Sequence, residues 1–194
     1  MPADGVFDRF PVRRIEEESF DILARDAWPA PLAPVAYLLD NGLDLGSATV
    51  FVGENGSGKS TLVEAIGLAF GLLPEGGSTG AQHSTRASES VLWSHLRVVG
   101  NAGESYLDLA ESRFRGPGLW LLDEPESALS FSGCLALLGI LTSLLETGTS
   151  QVILSTHSPL LASLPGATIY EAGDWACTRA NGRTCRWCST GRPS

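Results

Sequence analysis

Lysine is almost missing from this chain: Lys59 is the only one, and the other twelve basic residues are arginines. A formal net charge of −9 also leaves no basic excess, which excludes a broadly cationic nucleic-acid-binding surface but not a local patch. Long apolar runs are missing too. The longest, Leu135 to Leu145, is interrupted by Gly139, Thr142 and Ser143 and is too short to span a bilayer. The chain does not open on a basic start followed by an apolar stretch, so no secretory signal is expected and a cytoplasmic setting is the default. Cysteine is scarce, with four residues, three of them beyond Glu171. Disulfides are not expected in that setting. What is present suits one soluble globular domain: 194 residues, 43% hydrophobic and 18% charged, enough to bury a proper core.

The lone lysine stands in Gly53-Glu54-Asn55-Gly56-Ser57-Gly58-Lys59-Ser60-Thr61. A chain that otherwise uses arginine for positive charge therefore needs an ammonium at this one position. The pattern G-x-x-x-x-G-K-[ST] supplies the reason. Glycines let successive backbone N–H groups close around phosphates, and a flexible lysine reaches the β- and γ-phosphates as a compact point charge. The planar fork of arginine fits such a cradle poorly. The flanks agree. Ala48–Val52 reads as a short buried strand, and Leu62, Val63, Ile66, Leu68, Ala69 and Leu72 recur as on a helix. Strand, glycine loop and helix together point a helix N-terminus at phosphate. A plain glycine turn is the structural alternative.

Along the rest of the chain, Arg13–Glu18 suggests an edge strand, followed by a proline-rich connection with a short helix near Val35–Leu39. Pro74–Ser90 is rich in Gly, Ser and Thr and reads as loop, and Glu104–Phe114 as a helix. Leu119–Asp123 resembles a central parallel strand that ends in an acid. Leu135, Leu138, Leu141, Leu144 and Leu145 mark a helix that stops near Gly148, with Cys134 in its core face. Gln151–Thr156 is another buried strand, and Thr168–Tyr170 a last one. Alternating strands and helices imply an α/β domain with a mainly parallel sheet flanked by helices, and with the glycine loop it resembles a P-loop NTPase. Ligands bind at the carboxyl ends of such strands, where the glycine loop, Asp123 and His157 all fall.

Asp123 and Glu124 follow their strand directly. A P-loop ATPase needs a strand-end aspartate to hold Mg²⁺ together with the hydroxyl of Ser60, and a group to polarise the attacking water, which Glu124 is placed to be. An acid after a strand is otherwise an ordinary solvated turn residue, and the pair gains its weight from the glycine loop. His157, in Ser155-Thr156-His157-Ser158-Pro159, can donate to a γ-phosphate and sense its loss. His83 and His95 lack such company and read as surface residues.

Gly53–Thr61, Leu121-Leu122-Asp123-Glu124-Pro125-Glu126, Ser127-Ala128-Leu129-Ser130 and Ser155–Pro159 resemble the Walker A, Walker B, D-loop and H-loop of ABC-type ATPases. The closest resemblance is to small soluble bacterial "AAA family" ATPases with ABC-like heads. It runs in order from Phe10 to Tyr170 and implies ATP held between two heads, each completing the other's site. That partner is a head-to-tail copy or a related head. The resemblance further implies Gly53, Glu54, Asn55, Gly56, Ser57, Gly58, Lys59, Ser60 and Thr61 around the nucleotide, Ser60 and Asp123 on Mg²⁺, Glu124 as general base and His157 as γ-phosphate sensor. The signature motif would be Asn101-Ala102-Gly103-Glu104-Ser105, with Asn101, Gly103 and Glu104 facing the partner's nucleotide and Asn101 standing where the family has serine.

Two departures qualify the resemblance. The interval from Lys59 to Gly103 is much shorter than in ABC proteins, so residues 73–118 form a shortened helical lobe without an assignable Q-loop. Gln82 is the only glutamine there. The second departure is the tail. With the ATP-binding domain set at residues 1–170, residues 171–194 hold Cys177 and Cys185-Arg186-Trp187-Cys188 without apolar periodicity or a nearby histidine. Four zinc ligands are not at hand, and the segment reads as irregular, disordered or out of frame. Three functions stay open: an ATPase head, a nucleotide-binding remnant that no longer hydrolyses, and, ranked lowest, the ATP-binding subunit of a transporter. DNA, repair and defence partners are all compatible with the fold, which does not choose among them.

Overall fold

The computed structural model describes residues 12–70, 91–99 and 118–173, and the backbone of 176–180. Its centre is built from the apolar segments that carry no polar face. β3 (Ala48–Gly53) and β6 (Gln151–Thr156) are buried along their whole length and pair in parallel, with Val50 opposite Leu154. β7 (Thr168–Gly173) lies parallel to β3 on its other side, and β5 (Leu119–Asp123) parallel to β6. The sheet order is β5-β6-β3-β7-β8, where β8 (Ala176–Ala180) returns antiparallel to β7.

Both faces of this sheet are covered, which is why β3 and β6 are buried along both sides and show no alternation of apolar with exposed polar residues. Phe51 and Ile153 point to one side with Tyr170. There they meet Leu62 and Ile66 of α2 (Lys59–Ala69), and Val35 and Leu38 of α1 (Ala33–Asn41) share the same core. Val50, Val52, Val152, Leu154 and Ile169 point to the other side. Their partners include Cys134 and Leu141 of α3 (Phe131–Glu146) and Leu161 of α4 (Pro159–Ala162). The two-residue period of a strand thus sorts neighbouring side chains into two cores.

A second, antiparallel sheet of order β2-β1-β4 comprises β1 (Arg14–Glu17), β2 (Leu43–Asp44) and β4 (Leu96–Val99). Gln151 fastens its leading segment to the main sheet. The buried amide of Gln151 donates to the carbonyls of Val12 (2.7 Å) and Gly46 (2.8 Å) and accepts from the Val12 N–H (3.1 Å). Tyr170 adds a hydroxyl bond to the Asp44 carbonyl at 3.0 Å.

Four expectations change here. β1 is not an edge strand but the centre of the small sheet, because Ile15 needs apolar neighbours on both sides and finds Leu43 and Val98. β5 is not central: among the described residues it is the outer strand, with Leu119–Leu122 only half-buried. The strand at Thr168–Tyr170 is not the last and does not stop at 170. It continues through Gly173 and turns back as β8, so the first part of the segment expected to be irregular contributes regular strand. His95 is not a bare surface residue either, since Nδ1 lies 2.9 Å from the Asp21 carbonyl and 3.2 Å from its carboxylate. Gln82, His83, the helix expected at Glu104–Phe114 and the Cys185–Cys188 pair lie outside the described residues. Among the described residues no helix is long and apolar enough to cross a membrane.

Candidate nucleotide-binding site

The loop between β3 and α2 takes its shape from glycines that no other residue could replace without strain. Gly53, at φ +151°, runs so close to the Ala172 carbonyl of β7 that a Cβ would collide with it. Gly58 caps α2 in the left-handed region, φ +91°, with Pro34 and Leu32 packed where a side chain would start. These constraints fold the chain back and leave the first N–H groups of α2 without helical acceptors, as every helix start does. A cleft of about 250 Å³ opens there, lined by Gly56, Gly58, Lys59, Ser60, Thr61, Glu124, Leu32 and Trp28.

Lys59 is only 2% exposed, and a buried ammonium requires compensation. It donates to the Glu54 carbonyl at 2.7 Å and lies 3.5 Å from Glu124 Oε1. Glu124 is therefore brought from the end of β5 to the lysine of the glycine loop. Its backbone is the one non-glycine among the described residues at positive φ (+41°), and its N–H donates to the Ser155 carbonyl at 3.1 Å and to the Ser155 hydroxyl at 3.2 Å. The same hydroxyl donates to Asp123 Oδ1 in a short contact. Ser155 thus locks the Asp-Glu turn to β6, and parallel pairing of Asp123 with Ser155 sets the register.

His157 comes to the same place from the end of β6. Its Nδ1 lies 3.0 Å from Glu126 Oε1 and 4.0 Å from Glu124 Oε2. Glu126 is 92% covered, its side chain 8% exposed, and it accepts from the Thr156 hydroxyl and the His157 N–H, both at 2.7 Å. The structure therefore gathers Lys59, Glu124 and His157 into one cluster, with Ser60 on the cleft wall and Asp123 tied in through Ser155. Asn101, Gly103 and Glu104 lie outside the described residues.

This arrangement is a strand, a glycine loop around a buried lysine, and acids and a histidine at the ends of two further parallel strands, β5 and β6. The fold is that of a P-loop NTPase. Residues 43–110 match a family model described as an AAA domain, which points to nucleotide binding and ATPase chemistry at that general level. No curated protein matches the chain.

Three contributors to the P-loop site were not legible in the sequence. Trp28, 62% exposed, lies beside the glycine loop although its proline-rich surroundings read as connection. Ser155 and Glu126 stand inside conspicuous segments, but nothing in spacing separates a buried organising group from a solvated turn residue.

Proposed function

We propose that this chain binds ATP and hydrolyses it with Mg²⁺, as an ABC-type head that closes on a second head, a copy of itself or a related domain. The observation that carries the reading is the meeting of Lys59 with Glu124 at 3.5 Å, beside His157. Strand ends distant in sequence converge on one cleft, and they bring the cation and the acids that phosphoryl transfer to water requires.

The residues fit both ligands. Gly56, at φ +81°, has open space where a Cβ would stand, and the Ser57 hydroxyl is buried in this loop without a hydrogen-bond partner among the described residues. Among those residues no cluster of three or more His, Cys, Asp or Glu forms a metal cage, and an ATP-bound Mg²⁺ does not need one. Ser60 and Asp123 would hold it, and it would neutralise charge on the phosphate oxygens.

Lys59 would exchange Glu124 for the β- and γ-phosphates, a trade of one anionic partner for another. Glu124, freed from the ammonium, then accepts a proton from the attacking water, and His157 donates to the terminal phosphate. The exposed indole of Trp28 offers a face for the base. The partner head would supply the signature motif to this nucleotide, with Asn101, Gly103 and Glu104 doing the same in return.

The test is phosphate release measured against protein concentration, for wild type and Glu124→Gln, with ATP binding measured in parallel. Turnover that rises faster than linearly with concentration, and falls by about 100-fold or more in Glu124→Gln with binding retained, supports the reading. Binding without turnover at any concentration assigns the chain to the non-hydrolysing class instead.

A further inference from the structure

We infer that Glu126 is a positioning residue for His157: it fixes which ring nitrogen carries the proton and keeps the imidazole from pairing with Glu124. The inference rests on the ATPase reading for its catalytic consequence, but not for its geometry. Glu126 lies three residues beyond Asp123 in the short 3₁₀ turn Pro125–Ala128, yet its side chain is folded inward and only 8% exposed. A carboxylate is expensive to bury, and among the described residues its partners, Thr156 and His157, come from the end of β6. The Thr156 hydroxyl and the His157 N–H both donate to Oε1 at 2.7 Å, and Nδ1 of His157 stands 3.0 Å from the same atom. Oε2 is buried without a hydrogen-bond partner among the described residues.

Those first two bonds staple the β5 turn to β6, and a carboxamide oxygen would accept them equally well. Stapling alone therefore does not call for a charge. What distinguishes glutamate from glutamine here is the imidazole. Its Nδ1 stands within ion-pair distance of Oε1, at 3.0 Å, without the alignment of a hydrogen bond. A carboxylate beside Nδ1 places the proton on that nitrogen and leaves Nε2 for the ligand. It also supplies the counter-charge that a doubly protonated ring needs when it donates to phosphate.

The second consequence follows from competition. Nδ1 lies between two carboxylates, with Glu124 Oε2 at 4.0 Å. If Glu126 lost its charge, the ring would turn to Glu124 and engage the group that must take the proton from water. Glu126 therefore divides the site: His157 belongs to Glu126, and Glu124 to Lys59 and the nucleophile.

The experiment uses the full chain with ¹⁵N-labelled histidine. Long-range ¹H–¹⁵N spectra should show His157 protonated at Nδ1 in wild type and a mixed tautomer in Glu126→Gln. Turnover in Glu126→Gln should fall about tenfold or more while ATP affinity stays within about twofold. Thr156→Val removes a staple bond without touching the imidazole contact, so it should lower stability and leave the tautomer unchanged. An unchanged His157 tautomer in Glu126→Gln overturns the proposal. So does a wild-type proton on Nε2, which decides the matter even if Glu126→Gln does not fold. Absence of turnover in wild type would remove the ATPase reading alone, because the nitrogen spectra need no catalysis.

Discussion

At the residue scale, the site is governed by one buried cation and the anions that must accompany it. Lys59 cannot shed its charge into solvent at 2% exposure, so it is held by the Glu54 carbonyl and by Glu124. The geometry is that of a single donor point reached by a flexible stem. Lys59→Arg keeps the charge but places a planar fork where that point fits, and it should weaken ATP binding by about tenfold or more. Titration calorimetry with ATP checks this, and an unchanged affinity would mean that charge alone suffices. The lysine's place between strand and helix was legible in the sequence because its neighbours are local: loop, strand and helix are contiguous. Glu126 was not legible, because its partners lie on β6 and only tertiary folding brings them within 3 Å.

At the element scale, β3 and β6 carry the site because parallel strands end at the same level. The small sheet is secured differently, by ion pairs along its exposed rim. Glu17 receives both terminal nitrogens of Arg25, at 2.7 and 2.9 Å, and the Leu23 N–H at 3.0 Å. The Arg25 guanidinium holds the Glu17 carboxyl below the usual glutamate range, with Leu23 assisting. A group whose folded value is lowered adds stability that is complete above its unfolded value, about 4.3, and is lost as pH falls through the lower folded value. Replacing Glu17 by Gln should therefore cost about 0.5–1 kcal/mol near neutrality, since the pair is partly solvated, and close to nothing below that range. Urea midpoints of the two proteins should converge as the pH is lowered, and a gap that stays constant would remove the ion pair as its cause. The existence of β3, α2, α3 and β6 was readable from periodicity and apolar runs, whereas β2, β4 and β8 were not. The place of β1 and β5 in their sheets was not, because pairing depends on segments distant in the chain.

At the scale of the whole molecule, the strand beyond Tyr170 matters to the phosphate loop. Glu171 and Ala172 pair with Val52 and Gly53, and the Ala172 carbonyl lies against Gly53. A chain ending at Tyr170 should lose these pairs together with β8. Its thermal midpoint should fall by roughly 4–8 °C relative to one ending at Ala180, equivalent to about 2 kcal/mol at this size. ATP affinity should fall with it, because β7 backs the start of the loop. Equal midpoints would show that β8 contributes little to the domain. The composition of this segment gave no warning. Its cysteines, tryptophans and arginines show no alternation, and the strand is defined by its antiparallel backbone pairing with β7.

The sequence by itself determined the phosphate loop, the strands that flank it and the acids and histidine at strand ends, because each rests on local spacing or a run of like residues. Only the tertiary structure decided that Lys59 meets Glu124, that Ser155 and Glu126 organise the acids and the imidazole, and that β7 continues into β8. Those facts depend on which strands are neighbours and in what register. Register is fixed by the packing of two cores at once rather than by any one segment.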